Sequence, residues 1–203
     1  MDIKEFDTAA YRERVKLWSG TLKWWVQARA FVELCPVGIP YMRILDVGCG
    51  TGRMAQVLTK VTGHPITYEG TDVIDICDPD LPFTRLTKSY LPFGKSTFNI
   101  VIAHHSLMHV ADPEHLLWEM KWCLMEGGAV GVAVPNVWFE RLDFLEKIAS
   151  AHVPDPTVKH RFARHDLERL FRKHFIHYEI IPHGPRALGF GPRENLYAWA
   201  TIR

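Results

Sequence analysis

Two stretches carry residue types that could do chemistry. Residues 104–115 read HHSLMHVADPEH and hold His104, His105, His109 and His115. His105 and His109 stand four apart, the spacing that puts two zinc ligands on one helix face. A metal centre needs three or four converging ligands, and neither an HExxH pattern nor a nearby carboxylate set accompanies these histidines. No metal is expected. His104 and His105 are neighbours at a strand end and should point apart. His115 falls in the first turn of a helix and should face solvent, and His109 can order the loop. A neutral imidazole can take a proton from a hydroxyl or amine near pH 7, which makes His105 and His109 candidate bases.

The second stretch, residues 44–53, reads ILDVGCGTGR. Gly48, Gly50 and Gly52 follow an apolar strand and open a helix. Such a turn lets a ligand approach the backbone and sets it at a helix N-terminus. The dinucleotide fingerprint G-x-G-x-x-G/A would require a small residue at position 53, where Arg53 stands. The spacing is instead G-x-G-x-G, preceded by Asp46. An acid there suits a ligand carrying an ammonium or sulfonium better than a pyrophosphate. Twenty residues beyond Gly52 comes Asp72, at the end of a second strand, placed to accept hydrogen bonds from ribose hydroxyls.

The elements that must position these residues alternate. Residues 8–34 read as two helices broken near Ser19–Gly20, the second with an apolar stripe of Leu22, Trp25, Val26, Ala28 and Phe31. RILDVG is a buried strand, RMAQVLTKV a helix and PITYEGTDV a strand. FNIVIAHH is apolar on both faces, as a covered parallel strand should be. The helix DPEHLLWEMKWCLMEGG has Asp112 as N-cap, Pro113 in its first turn and Gly127–Gly128 as its stop. AVGVAVPN is a further strand and RHDLERLFRKHF a helix with Leu167, Leu170, Phe171 and Phe175 on one side. IHYEIIP and NLYAWATIR close the pattern as strands that can pair antiparallel. Strand–helix alternation implies an α/β fold with a doubly wound parallel sheet.

At this point LDVGCGTG with Asp72 resembles the glycine motif of class I S-adenosylmethionine-dependent methyltransferases. Residues 91–136 further resemble the type 11 branch, which includes ubiquinone- and menaquinone-type enzymes: LPF, a phenylalanine before the fourth strand, a histidine-containing loop, a D-P helix start, then GG and a fifth strand. The resemblance implies a Rossmann-like methyltransferase fold, seven-stranded and mostly parallel with an antiparallel final strand. It implies one domain over 1–203, with residues 1–40 as a helical cover and 41–203 as the core. Asp46, Gly48, Cys49, Gly50 and Gly52 would line the methionine and ribose part of S-adenosylmethionine. Asp72 would bind the ribose, Val73 or Ile74 would pack on adenine, and His104 would lie beneath the cofactor. The family's adenine-reading acid is replaced by Thr87, so Ser89, Tyr90 or backbone groups take that task. The family's aspartate at the fourth strand is Asn99 here, a structural position.

For the acceptor, Trp18, Trp25, His105 and Ser106 are the pocket candidates. Trp18, Trp24 and Trp25 suit either a lid over an aromatic substrate or plain packing on the sheet. The net charge of +1 gives no strong field for nucleic acid, and the His/Arg-rich run 159–174 reads as a solvated face. Four dispersed cysteines without a CxxC pair read as reduced thiols. The polar N-terminus is not a secretory signal, and no run approaches the roughly 18–20 apolar residues of a membrane span. A cytoplasmic monomer or homodimer is expected. It would pass a methyl group to O, N or C of a small molecule by in-line attack. The alternatives are a tRNA or protein acceptor, or a non-catalytic binding subunit.

Overall fold

The structure, a computed structural model, describes residues 9–38, 41–86, 90–138, 155, 157–186 and 193–202. Seven strands form one sheet in the order β3-β2-β1-β4-β5-β7-β6. β1 (Arg43–Val47), β2 (Thr67–Asp72), β3 (Phe83–Arg85), β4 (Phe98–His104) and β5 (Leu124–Pro135) run parallel. β7 (Arg193–Thr201) lies antiparallel between β5 and β6 (His177–Arg186). This is the seven-stranded, mostly parallel sheet expected, although β3 left no mark in the sequence pattern. The strand order reverses between β1 and β4, which leaves a crevice at their carboxyl ends.

Successive residues of the central strands feed opposite cores, which explains their continuous apolar runs. Ile44, Ile100 and Ile102 face α2 (Leu22–Glu33) and α3 (Arg53–Thr62). Leu45, Val101 and Ala103 face α4 (Pro113–Cys123) and α5 (Arg164–His174). α1 (Ala9–Ser19) ends just before Gly20, as the sequence predicts, and the side chain of Thr21 caps α2 by accepting from Trp24 N–H at 3.1 Å.

Two expectations fail for identifiable reasons. The buried face of α2 is Trp24, Gln27, Ala28, Phe31 and Val32, while Leu22 and Val26 are exposed. Both stripes have helical spacing, and only the sheet beneath decides between them. Gly127–Gly128 do not stop α4, which ends at Cys123 with β5 following directly. They sit inside β5 beside an irregularity of the β4–β5 pairing. A Cβ on Gly128 would stand 2.6 Å from Asn99 O. Asn99 itself is structural, accepting from Arg43 N–H at 2.9 Å and so tying β4 to the start of β1.

Gly131 fixes how α2 sits on the sheet. The ring of Phe31 from α2 stacks on Trp199 of β7 at 4.8 Å, directly over this glycine. A Cβ there would meet Trp199 at 2.6 Å and Phe31 at 2.8 Å. Gly131→Ala is expected to destabilise by about 1–3 kcal/mol, the usual cost of overpacking. A lower urea midpoint with an unchanged m-value would show it.

Candidate functional site

The glycine loop joins β1 to α3 at the crevice. Gly48, Gly50 and Gly52 all have positive φ (74°, 55° and 75°), which L side chains rarely adopt. At Gly48 the constraint is also steric, since a Cβ would lie 2.3 Å from Ser106 Cβ. The loop hangs from β2: Gly48 and Cys49 N–H both donate to Thr71 O at 2.7 and 3.1 Å. Gly50 N–H donates to the Asp72 carboxylate at 2.8 Å, and Val73 and Ile74 N–H donate to its other oxygen at 2.6 and 3.3 Å. Val73 and Ile74 form a small apolar cluster with Tyr11.

Two acids, the buried Asp46 and the half-buried Asp72, therefore sit under one loop. Burial raises the pKa of Asp72, against the lowering effect of its three amide bonds. Asp46 accepts from Tyr68 OH at 2.8 Å. Its pKa is pushed up to about 7 by burial first, and further by the Asp72 charge. A paired, buried carboxyl site without a cation is electrostatically incomplete, and a ligand bearing sulfonium and ammonium charge would complete it. The residues fit that ligand.

α1 covers this loop. Val15 Cγ1 is 3.0 Å from where a Cβ on Gly50 would stand. Ser19 Oγ lies 3.1 Å from Thr51 Oγ1, Arg53 donates to Ser19 O at 3.1 Å, and Arg12 donates to Asp75 O at 2.9 Å. Arg53, the residue that breaks the dinucleotide fingerprint, thus holds the last turn of α1, where a cation is favoured.

The end of β4 corrects the expectation that His104 and His105 point apart. His105 has φ +58°, and its N–H still donates to Ala133 O at 2.9 Å. The left-handed residue undoes the strand alternation, so both rings reach the α2 face and touch at 4.6 Å. His104 contacts Trp24 and Phe31, and His105 contacts Trp18 at 4.9 Å. Both Nε2 atoms are buried without a hydrogen-bond partner. Burial drives His104 well below the usual imidazole range and His105 down to about 3, so both rings are neutral through the physiological range.

The other candidates fall elsewhere. Ser106, one of the acceptor-pocket candidates, spends its hydroxyl on the backbone: it donates to Val47 O at 2.6 Å and wedges the loop. His109 packs edge-on against Tyr11, and its Nδ1 lies 3.0 Å from Thr157 Oγ1, which makes it a brace between loops. Trp25 lies under Lys60 of α3 and edge-on to Trp24, which stands between it and His104. His115 is exposed and pairs with Glu119 at 3.3 Å. Tyr90 is exposed, and Ser89 and Thr87 lie outside the described residues. Among the described residues no cluster of His, Cys, Asp and Glu could hold a metal. No helix among them is long and apolar enough to cross a membrane. Sequence reasoning missed Tyr11, Val15 and Ser19. Their only signal is helical spacing on a face that the loop covers.

The sequence of residues 10–174 matches the model of a methyltransferase domain family. The chain belongs to the methyltransferase domain family. The match is to the methyltransferase domain as such and does not single out the type 11 branch. Over 104 residues the chain is 27% identical to methyltransferase GfsG of Streptomyces halstedii, a stretch covering 45% of this chain and 37% of that one. The chain thus spans well under half the length of this curated relative. Two solved structures share the fold across nearly the whole chain at 20% identity, each with a TM-score of 0.74. One is a Haloferax volcanii methyltransferase in complex with the Trm112 methyltransferase activator, covering 100% of this chain and 97% of that one. The other is a Thermotoga maritima enzyme described as a possible histamine N-methyltransferase, covering 99% of both.

S-adenosylmethionine is the cofactor that the family implies, and a cation bound beside Asp46 would carry a proton signature. A carboxyl raised to about 7 by burial is partly protonated in the free methyltransferase near neutrality. A bound cation favours the charged form, so binding should release protons between about pH 5 and 7. Calorimetry in two buffers of different ionisation enthalpy measures this. Asp46→Asn should reduce the release, leaving only what Asp72 contributes. The same shift has a stability sign. A carboxyl whose folded pKa lies above the unfolded value favours the folded state at low pH, and that contribution fades as pH rises through about 7.

Proposed function

We propose that this methyltransferase acts on a small-molecule acceptor that docks against His104, His105, Trp18 and Trp24. The observation that carries this reading is the pair of orphaned Nε2 atoms, buried at the carboxyl end of β4 beneath two indoles. Buried polar atoms without partners are rare and mark a place where a ligand group or water completes the bonding. The surround is neutral and aromatic, which suits a small, flat or apolar acceptor with one polar group.

The cofactor supplies an activated methyl group, so the chain's task is alignment and exclusion of water. Asp72 and the glycine loop hold the cofactor, with Val73 and Ile74 as the adenine floor. α1 covers the loop against solvent. His105 orients the acceptor through a hydrogen bond. With its pKa near 3 it is a weak proton acceptor, so the reading as an orienting group replaces that as a strong base. His109 braces the loop that carries His105.

A tRNA or protein acceptor is the second reading. The Haloferax volcanii neighbour, described with the Trm112 activator, favours it. Transfer of labelled methyl groups to a panel of small hydroxylated and nitrogenous compounds, beside tRNA and protein, tests both. Small-molecule labelling insensitive to salt supports the first reading. Labelling confined to tRNA, with steep salt dependence, overturns it. Asp72→Ala should weaken S-adenosylhomocysteine binding at least about tenfold, or roughly 1.4 kcal/mol.

His105→Gln should leave cofactor affinity unchanged and lower kcat about 10- to 100-fold. The wild-type pH–rate profile should show no inflection near 6.5 from His105. An inflection there that disappears in His105→Gln would restore the base role.

A further inference from the structure

A cavity of about 340 Å³ shares no residue with the glycine loop or the histidine pair. It lies at the other end of the sheet, where β5, β7 and β6 meet the first two turns of α5. Its floor residue Leu196 belongs to the core under α4 and α5, whereas His104 and His105 reach the α2 face. The two places therefore open on opposite faces of the sheet. Hydrogen bonds fix the backbone around the cavity. Val137 N–H donates to Phe162 O at 2.9 Å, Asn136 Nδ2 donates to Arg193 O at 2.9 Å, and Asn136 Oδ1 accepts from Trp138 N–H at 3.1 Å.

The lining is mostly apolar, with the buried Leu196, the half-buried Pro182 and the half-exposed indole of Trp138. Its charged members are Arg164, His165, Glu168 and Arg193. The one acid among them is already answered, since Arg164 pairs with Glu168 at 2.9 Å. His165 lies 3.4 Å from Asp166, which Arg169 also holds at 3.0 Å. Arg193 differs. Its Nη1 donates to Gly184 O at 2.7 Å, and no carboxylate pairs with it among the described residues. The neighbouring Glu194 is engaged by Lys23 and Gln27 of α2. The cavity thus combines apolar walls, an excess of positive charge and one guanidinium without an acid.

These features select a ligand class. A guanidinium presents its N–H groups in a planar fork that matches a carboxylate, and an indole offers a flat face to a second ring. Cavities of roughly 300–1,000 Å³ with apolar walls and a few polar groups are the usual seats of small ligands. This one is at the small end of that range, which suits one or two rings. A cation would meet the two arginines, and a multiply charged anion would set most of its charge against apolar walls.

We propose that this cavity binds a small aromatic carboxylic acid, with the carboxylate on Arg193 and the ring against Trp138, Pro182 and Leu196. The site stands on the cavity itself and is independent of what the methyl acceptor is.

The test titrates 1-naphthoate into the full chain by calorimetry, with S-adenosylhomocysteine present to occupy the cofactor loop. Saturable one-site binding is expected, about tenfold tighter than that of naphthalene-1-methanol, which keeps the rings and lacks the charge. Arg193→Gln should remove most of that preference and leave the affinity for the neutral alcohol as it was. Trp138→Ala should weaken both probes about fivefold. A measurement on the wild type needs no variant: amide shifts on adding 1-naphthoate should centre on residues 136–138, 164–168 and 193–196. Absence of saturable binding, equal affinity for the acid and the alcohol, a preference that survives Arg193→Gln, or shifts centred on residues 104–105 overturns the proposal.

Discussion

The Asp72 carboxylate is the joint on which the site depends. It receives Gly50 N–H from one loop and Val73 and Ile74 N–H from another, so a single side chain sets the spacing between the ends of β1 and β2. Hydrogen bonds to a buried charged group are among the stronger ones in proteins, and leaving such a charge unpaired is costly. Three amides bring enough compensation to keep a carboxylate there, yet burial still raises its pKa. The residual imbalance is what a cationic, hydroxyl-bearing ligand relieves. The loop is thus shaped by the same group that would meet such a ligand.

The end of β4 solves a second problem of placement. An extended chain would aim His105 into the α4–α5 core, where Val101 and Ala103 alternate with their neighbours. The left-handed conformation of a non-glycine residue costs on the order of 1–3 kcal/mol and persists where surrounding contacts enforce it. Here the N–H bond to Ala133 O and the Trp18 ring on one side hold it. Ser106, the next residue, donates to Val47 O beneath the glycine loop. One strained residue therefore sets the aromatic wall and the wedge under the cofactor loop together.

Strand and helix placement was legible wherever burial on two faces or a cap left a local pattern. β1, β4, the glycine loop and the Asp112 cap were plain in the sequence, and Asp112 accepts from His115 N–H at 2.9 Å as expected. What stayed hidden depends on partners distant in the chain. The choice between the Leu22/Val26 and Trp24/Ala28 faces of α2 is made by Phe31 seating over Gly131. The placement of Gly128 is made by Asn99 O. The His105 turn left only a faint signal, because histidine, though enriched there among non-glycine residues, still adopts positive φ rarely. The structural task of Ser106 is invisible in sequence, because only the closeness of Gly48 and Val47 O shows it.

The two covering helices are held by different kinds of contact, and that difference bears on how a ligand reaches the loop. α2 buries Trp24, Ala28, Phe31 and Val32 in the sheet core and is tied by Gln27 and Lys23 to Glu194 of β7. Displacing it would expose several large apolar side chains, at roughly 1.5–3 kcal/mol each. Within α1 only Ser19 is buried, and its attachments are hydrogen bonds at half-exposed positions together with ring contacts of the partly exposed Tyr11 and Trp18. Such bonds are worth about 0.5–1.5 kcal/mol apiece, because water replaces them. α1 is therefore the less costly of the two to lift, and Gly20 is the natural pivot between them. The contacts α1 would surrender include those that reach Thr51, Asp75 and Gly50, beside the ring contacts of Tyr11 with His109 and of Trp18 with His105.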